Sequence, residues 1–257
     1  MAREQRRLLV APPRLQAAAA AGGYLALSAE ESRYLTRVLR YGPGDGFALI
    51  DGQGCLWQAE LEAADRARLL QPLEQPLQQQ SAPTPPLVLA AAVVKRDFEL
   101  VVRMAVELGA DRLVPLLCER TAVLGQLKAE RWRSIAAEAA EQCERLWLPE
   151  ISEPLPLAEL LASASGSRYW ATTRAEGLPE LAQRLAASGQ AAQAAAEPAA
   201  LWLACGPEGG WSPAEEQRAV EAGWEPVGLG PRILRSSTAC VAGLALLSSW
   251  RTGRWGC

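Results

Sequence analysis

Leu87-Val88-Leu89-Ala90-Ala91-Ala92-Val93-Val94 is an unbroken apolar run. It falls well short of the ~18 residues that a membrane-spanning helix requires. A continuous apolar run of this length reads as a strand buried on both faces, which occurs in parallel sheets sandwiched between helices. The residues that follow keep alternating between strand and helix patterns. The periodicity predicts a helix from Phe98 to Leu108 that closes on Gly109, then a strand from Leu113 to Leu117. From Lys128 to Leu146 the apolar positions Trp132, Ile135, Ala136, Ala139, Ala140 and Cys143 recur at helical spacing. Further strands are expected at Tyr169 to Thr172, Leu201 to Cys205 and Pro226 to Leu229, with helices near Pro213 to Ala222 and from about Ser236 to Trp250. Leu181 to Ala200, rich in Ala and Gln, reads as a loosely constrained helix or an insertion. Strand–helix alternation of this kind means a parallel α/β sheet.

Upstream of Leu87 the texture changes. Pro72, Pro76, Pro83, Pro85 and Pro86 bracket a Gln run, so the stretch around residues 76–86 reads as a stiff linker between two domains. Residues 1–75 alternate short apolar stretches with turn residues, the pattern of a small β domain. Strands are expected at Tyr24 to Leu27, Phe47 to Ile50 and Cys55 to Leu61, the last two joined by a tight Asp51-Gly52-Gln53-Gly54 turn. Ser28-Ala29-Glu30-Glu31 looks like a helix cap followed by acidic first-turn residues, opening a short helix through Leu39. A small barrel with one helix fits this order.

Composition narrows the chemistry. The chain of 257 residues is 49% apolar and 21% charged with a mean hydropathy of −0.02, ordinary for a globular protein. The start, Met1-Ala2-Arg3-Glu4-Gln5-Arg6-Arg7, lacks the apolar core of a secretory signal, so a soluble cytoplasmic protein without membrane association is expected. There is no histidine. That excludes Ser-His-Asp and Cys-His catalysis, an imidazole base and any histidine-bound metal. None of the six cysteines forms a CxxC pair, so no structural metal is expected and the thiols read as reduced core residues. Chemistry is left to carboxylates, Arg, Lys, hydroxyls, backbone amides or a bound cofactor. The net charge of −3 hides a basic front end in which Arg3, Arg6, Arg7, Arg14, Arg33, Arg37 and Arg40 outnumber Glu4, Glu30 and Glu31. Arg33, Arg37 and Arg40 fall at i, i+4 and i+7 on the expected short helix, and with Arg6 and Arg7 they form a candidate phosphate-contacting face. Surface tryptophans among the nine would offer stacking platforms for splayed bases.

Two glycine-rich segments follow strands near the C-terminus, Gly206-Pro207-Glu208-Gly209-Gly210 and Gly228-Leu229-Gly230-Pro231-Arg232. In open α/β sheets the ligand crevice lies at the carboxyl ends of the strands, where these loops fall. Glycine lets backbone amides approach a ligand with no Cβ between. Neither segment carries the Lys-Ser/Thr of a nucleotide P-loop, and no GxGxxG occurs.

At these loops the chain resembles the ribosomal RNA small subunit methyltransferase E family. Gly206-Pro207-Glu208-Gly209-Gly210-Trp211-Ser212 is similar to that family's GPEGG-aromatic-Ser signature. Leu229-Gly230-Pro231-Arg232-Ile233-Leu234-Arg235, followed by Thr238-Ala239, is similar to its LGPRILRTETA signature. Further matches are Arg37-Val38-Leu39-Arg40 with Gly44-Asp45, then Glu107-Leu108-Gly109, then Glu141-Gln142-Cys143 with Arg145 and Pro149-Glu150. The resemblance implies a PUA-like β-barrel over residues 1–75 and a SPOUT domain over residues 87–257, a parallel sheet whose chain end forms a trefoil knot. It also implies a homodimer that uses S-adenosylmethionine to methylate N3 of one uridine of 16S ribosomal RNA in the small ribosomal subunit.

On this resemblance Gly206, Pro207, Glu208, Gly209, Gly210, Leu229, Gly230, Ile233, Leu234 and Thr238 would contact the cofactor. Thr172 and Thr173 would form a third wall, and Leu203 would join the apolar adenine slot. Uracil N3 is a poor nucleophile until its proton leaves, so the site must favour the uracil anion. Arg235, then Arg232, are the candidates to hold the anionic oxygen by charge-assisted hydrogen bonds. Glu208 is a candidate acid–base group, with a helix cap or an ion pair to Arg as its other reading, and Arg145 is a further RNA contact. The chain departs from the family at Ser237, where the family has Glu, and at Glu144, where it usually has Gly. Two other readings stay open: a knotted methyltransferase acting on a ribose 2′-hydroxyl, and a non-catalytic ribosome-assembly factor that Ser237 would suit.

Overall fold

The computed structural model describes residues 6–122, 127, 129–173, 177–191 and 199–255. The chain divides into two compact units, one of Met1–Ala82 with Ala137–Leu148, the other of Pro83–Ala136 with Pro149–Cys257.

In the first unit, strands β1 (Arg7–Leu9), β2 (Tyr24–Ala26), β3 (Gly46–Ile50), β4 (Cys55–Ala63) and β5 (Arg66–Leu69) pair in the order β1-β3-β4-β5-β2. A sixth strand, β6 (Gln78–Gln79), lies in the stretch read as linker and pairs with β4. Alternation along β3 explains the core. Phe47 and Leu49 face one way, onto Leu15, Leu25, Leu35 and Leu61. Ala48 and Ile50 face the other way, onto Leu56 and Leu146. That second face is why residues 137–148, distant in sequence, belong to this unit.

Helix α1 (Pro12–Ala20) was absent from the sequence-based expectation of a single helix. Its Pro12-Pro13 start is a good first-turn pair, and Leu15 and Ala18 are its buried residues, too few to give a helical pattern in an alanine run. The expected capping box is present: Glu31 N–H donates to Ser28 Oγ (3.2 Å) and Ser28 N–H to Glu31 Oε2 (2.7 Å). It opens α2 (Ala29–Arg33), which passes into a π-helical turn at Tyr34–Val38.

The second unit holds a seven-stranded sheet whose strand pairs are all parallel. Strands β7 (Leu87–Ala92), β8 (Arg112–Leu117), β10 (Leu155–Pro156), β11 (Ser167–Ala171), β12 (Leu201–Cys205) and β13 (Glu225–Val227) run in the order β10-β8-β7-β12-β11-β13, and β9 (Glu150–Ile151) pairs with β8. All of β7 and β12 is buried, as the unbroken apolar runs require. Helices α3 (Phe98–Glu107), α4 (Ala129–Gln142), α5 (Leu157–Ser163), α6 (Leu181–Ala191), α7 (Pro213–Glu221) and α8 (Ser236–Trp255) connect and follow the strands. The predicted start of α4 at Lys128 lies outside the described residues, as does the Ala/Gln-rich stretch beyond Ala191 up to residue 198.

On one side of the sheet Trp170 stacks on Trp211 with centroids 3.8 Å apart, and Trp224 meets Trp170 and Trp202 edge-on. On the other, α8 packs on β7 and β12. A Cβ on Gly243 of α8 would collide with Leu203 Cδ2, so any larger residue there would have to displace that side chain. Near the far end of α8 the buried Arg251 pairs with Asp111 and donates to the Gly109 carbonyl (2.8 Å). Gly109 has φ +86°, and a Cβ on it would sit 2.9 Å from Arg251 Nη2. This gives a structural reason for the glycine in the Glu107-Leu108-Gly109 match.

Candidate active site

Parallel registry sets the geometry. Ala171 at the end of β11 pairs with Cys205 of β12 on one side and Val227 of β13 on the other. Three loops therefore leave the carboxyl edge of the sheet at one level, the position where open α/β sheets bind ligands. Between the loops that follow β11 and β13 lies a cavity of about 280 Å3. Its lining comes from residues 171–173, from Gly177, Leu178 and Glu180, from residues 228–234, and from Ala239 at the start of α8. The volume is near the lower end of the ~300–1,000 Å3 typical of small-molecule sites. Its polar lining residues are Thr172, Thr173, Glu180 and Arg232, and the rest of the lining is apolar or glycine.

The loop that follows β13 is held by its neighbour from β11. Gly228 N–H donates to the Pro179 carbonyl (2.9 Å) and Leu181 N–H to the Gly228 carbonyl (3.0 Å). Gly230, at φ +111°, donates its N–H to Glu180 Oε2 (2.8 Å). A Cβ on Gly228 would sit 3.2 Å from Glu180 Oε1, so glycine gives the carboxylate room to reach. Thr172 N–H donates to the Val227 carbonyl (3.1 Å), and its hydroxyl donates to Glu216 Oε1 of α7 (2.6 Å).

The loop after β12 is built differently. Gly206 sits on the Trp211 indole, where a Cβ would come within 2.9 Å of Cε2. Trp211 Nε1 donates to the Ala171 carbonyl (2.9 Å), which ties this loop to the end of β11. Ser236 Oγ donates to the Gly206 carbonyl (2.5 Å). Arg120 Nη1 donates to the Gly209 and Trp211 carbonyls (3.0 and 2.9 Å). Ser212 is the cap of α7: it accepts from Glu215 N–H, and the buried Glu215 carboxylate accepts from Ser212 N–H (2.8 Å) and Glu119 N–H (2.8 Å). Trp211 and Ser212, the end of the GPEGG-aromatic-Ser motif, thus hold the loop's shape. Burial first, then the Glu215 charge, pushes the nearby Cys118 thiol up to about 12, which leaves it protonated and unreactive.

The sequence-based candidates divide into groups. Thr172, Thr173, Leu229, Gly230, Arg232, Ile233 and Leu234 line the cavity. Gly206, Pro207, Glu208, Gly209, Gly210 and Thr238 are not in its lining, although the Trp211 and Ser236 bonds fasten the 206–210 loop next to it. Leu203 is fully buried against Gly243, in the core and out of the cavity. Arg235 and Glu208 are exposed, and no ion pair among the described residues joins either Arg235 or Arg232 to Glu208. Sequence reading missed Glu180 and Arg120. Both lie in loops at the carboxyl edge of the sheet, the one signal that could have drawn attention to them.

The basic residues of the first unit also separate. Arg6, Arg33, Arg37 and Arg40 are exposed. Arg40 has left the helix: its φ is +58°, and Tyr41 N–H donates to the Leu35 carbonyl behind it (2.9 Å). Arg7 is committed to Glu144, with Nη2 2.8 Å from Oε2 and Nη1 on the Glu144 carbonyl. Arg145 is half-buried, its N–H donating to the Ala140 carbonyl (3.0 Å) as α4 ends. Glu144 between them takes φ +63°, which accounts for the glycine usual at that place. No described tryptophan side chain is exposed, so the expected surface stacking platforms are not found. Among the described residues no three His, Cys, Asp or Glu side chains gather to hold a metal, and no helix is long and apolar enough to cross a membrane.

Comparison with known proteins agrees with this architecture. Residues 80–248 match the RNA methyltransferase domain family and residues 27–70 the RNA methyltransferase PUA domain family. The ribosomal RNA small subunit methyltransferase E of Synechocystis sp. is 39% identical over 250 residues, covering 95% of this chain and 77% of that protein. A methyltransferase of Legionella pneumophila solved with bound SAM superposes with a TM-score of 0.74 at 26% identity, covering 88% of this chain and 91% of that one. A ribosomal RNA small subunit methyltransferase E of Neisseria gonorrhoeae bound to S-adenosyl methionine shares the fold, with a TM-score of 0.74 at 24% identity over 96% and 98% of the two chains. With both domains matched in order and a relative of this identity spanning nearly its whole length, the chain belongs to the ribosomal RNA small subunit methyltransferase E family.

Proposed function

We propose that the protein methylates N3 of a specific uridine of 16S ribosomal RNA, with S-adenosylmethionine as methyl donor. The observation that carries this reading is the cavity at the level ends of β11 and β13, lined by the family's second signature loop. Its residues fit such a cofactor: glycines at 228 and 230 open the backbone to a flat ligand, and Glu180 and Arg232 put one charge of each sign on the wall for a ligand that carries both. When bound, S-adenosylmethionine supplies an electrophilic methyl carbon on a sulfonium. The protein's own task is position and charge. Arg235 and Arg232, exposed at the mouth of the loop, hold the uracil oxygen as the N3 proton leaves. Glu208, exposed and near the same edge, is the carboxylate offered as proton acceptor in place of the family Glu replaced by Ser237. Arg6, Arg33, Arg37 and Arg40 grip phosphates and so position the RNA without reading its sequence.

The same reading carries the knotted chain path, a cytoplasmic location and a homodimer, whose mass sedimentation equilibrium measures directly. Mass mapping of 16S RNA from a deletion strain tests the reaction. Loss of one 3-methyluridine, restored by the gene, is the expected result. Loss of a 2′-O-methyl group instead, or an unchanged map, overturns it. Absence of calorimetric heat at millimolar S-adenosylmethionine would favour the non-catalytic assembly factor that Ser237 suits.

A further inference from the structure

Glu180 is the one carboxylate among the described lining of the cavity. It is half-buried, and it is fixed: Gly230 N–H donates to Oε2 at 2.8 Å, and the Pro179–Gly228 and Gly228–Leu181 backbone bonds hold the residue from both sides. A cavity of about 280 Å3 is comparable to a sphere ~8 Å across, no wider than a Debye length at physiological salt, so a charge placed in it feels the wall carboxylate without full screening. Arg232 is the only other ionised side chain on that lining, and it is exposed, where water weakens its field.

The proposed reaction changes the charge inside this cavity. A sulfonium enters and, once its methyl has passed to N3 and the N3 proton to solvent, a neutral thioether leaves. The rest of the molecule is identical in the two states. A fixed carboxylate on the wall therefore distinguishes them by Coulomb attraction alone. We infer that Glu180 sets the preference of this cavity for the cationic donor over its neutral product, so that the spent cofactor is held less tightly than the fresh one. This inference rests on the cofactor reading proposed above. Sequence analysis gave no role to Glu180.

The test is isothermal titration calorimetry of the intact protein with three probes: S-adenosylmethionine, S-adenosylhomocysteine, and sinefungin, which has an ammonium in place of the sulfonium. Gln at 180 keeps an oxygen to accept from Gly230 N–H and removes only the charge. Glu180→Gln is expected to weaken S-adenosylmethionine and sinefungin by about 3- to 30-fold while S-adenosylhomocysteine stays within about 2-fold. Arg232→Ala, which removes the opposing charge, is expected to shift the ratio of donor to product affinity the other way. If Glu180→Gln weakens all three probes equally, the residue only holds the Gly230 loop and the inference is overturned. It is also overturned if none of them changes. Should Glu180→Gln fail to fold, the wild-type protein decides: S-adenosylmethionine is expected to bind more tightly than S-adenosylhomocysteine, and equal or tighter binding of S-adenosylhomocysteine overturns the inference. A wild-type protein that binds none of the three refutes the cofactor reading itself, a distinct failure.

Discussion

Single residues in this chain occupy conformations that their side chains do not favour. Arg40 holds φ +58° and Glu144 +63°, both at helix ends where glycine is the usual choice. The left-handed region costs a non-glycine residue about 1–2 kcal/mol. Arg40→Gly is therefore expected to raise unfolding stability by about 1 kcal/mol while removing one phosphate contact, lowering the log–log salt slope of RNA binding by about 0.7–0.9. Thermal denaturation and filter binding across a salt series read the two effects separately; a slope that does not move would take Arg40 out of the RNA face. At the other end of the chain Arg235 is exposed and lies outside the cavity lining. Arg235→Ala is expected to lower turnover by ~10²–10³-fold with the S-adenosylmethionine dissociation constant within about 2-fold of wild type. Equal losses in single-turnover rate and calorimetric affinity would assign it to the cofactor instead.

Elements carry a pH dependence that no single motif announces. Glu141, from the turn of α4 that packs in the first unit, accepts the Leu9 N–H at 2.7 Å. Burial above all, opposed by that hydrogen bond and reinforced by Glu138 and Glu31, pushes its carboxyl up to about 7. The folded value lies above the unfolded one near 4.5, so the folded chain keeps the proton in between. Stability from this group is whole below pH 4.5 and is lost as pH rises through 7, by about 3 kcal/mol at most. Glu141→Gln, which retains an acceptor for Leu9, should flatten the pH profile of the thermal midpoint across that window; a wild-type profile already flat there would refute the assignment. The Glu141-Gln142-Cys143 match was visible in the sequence, but its burial was not. That burial depends on β1, a three-residue strand too short to leave a periodic trace. The capping box at Ser28 and the apolar runs of β7 and β12 were legible because each is a local rule with a local pattern. The π-helical turn after α2 was not, and it is part of what carries Arg40 off the face that i, i+4, i+7 spacing implied.

At the scale of the molecule, the parallel α/β unit followed from strand–helix alternation, whereas the assignment of residues 137–148 to the other unit did not. Alternation reports which residues are buried, and the partner that buries them is a tertiary fact: Leu146 meets Ala48, Ile50 and Leu56. The site was half legible for the same reason. Glycine loops after strands marked the edge, yet Glu180 and Arg120 joined it through hydrogen bonds that cross 50 and about 90 positions of chain. One arrangement on that edge has a practical corollary. Trp211 touches Gly206, bonds the last carbonyl of β11, and stacks 3.8 Å from Trp170, with Trp224 and Trp202 next in line. Four indoles in van der Waals succession share excitation, so ultraviolet emission from this cluster is governed by whichever ring is quenched. Seating a guest between the loops would register as a shift in that emission without any dye. A Trp211→Phe protein should show a smaller emission change in the same titration while its calorimetric isotherm persists, giving the enzyme an intrinsic optical gauge of occupancy.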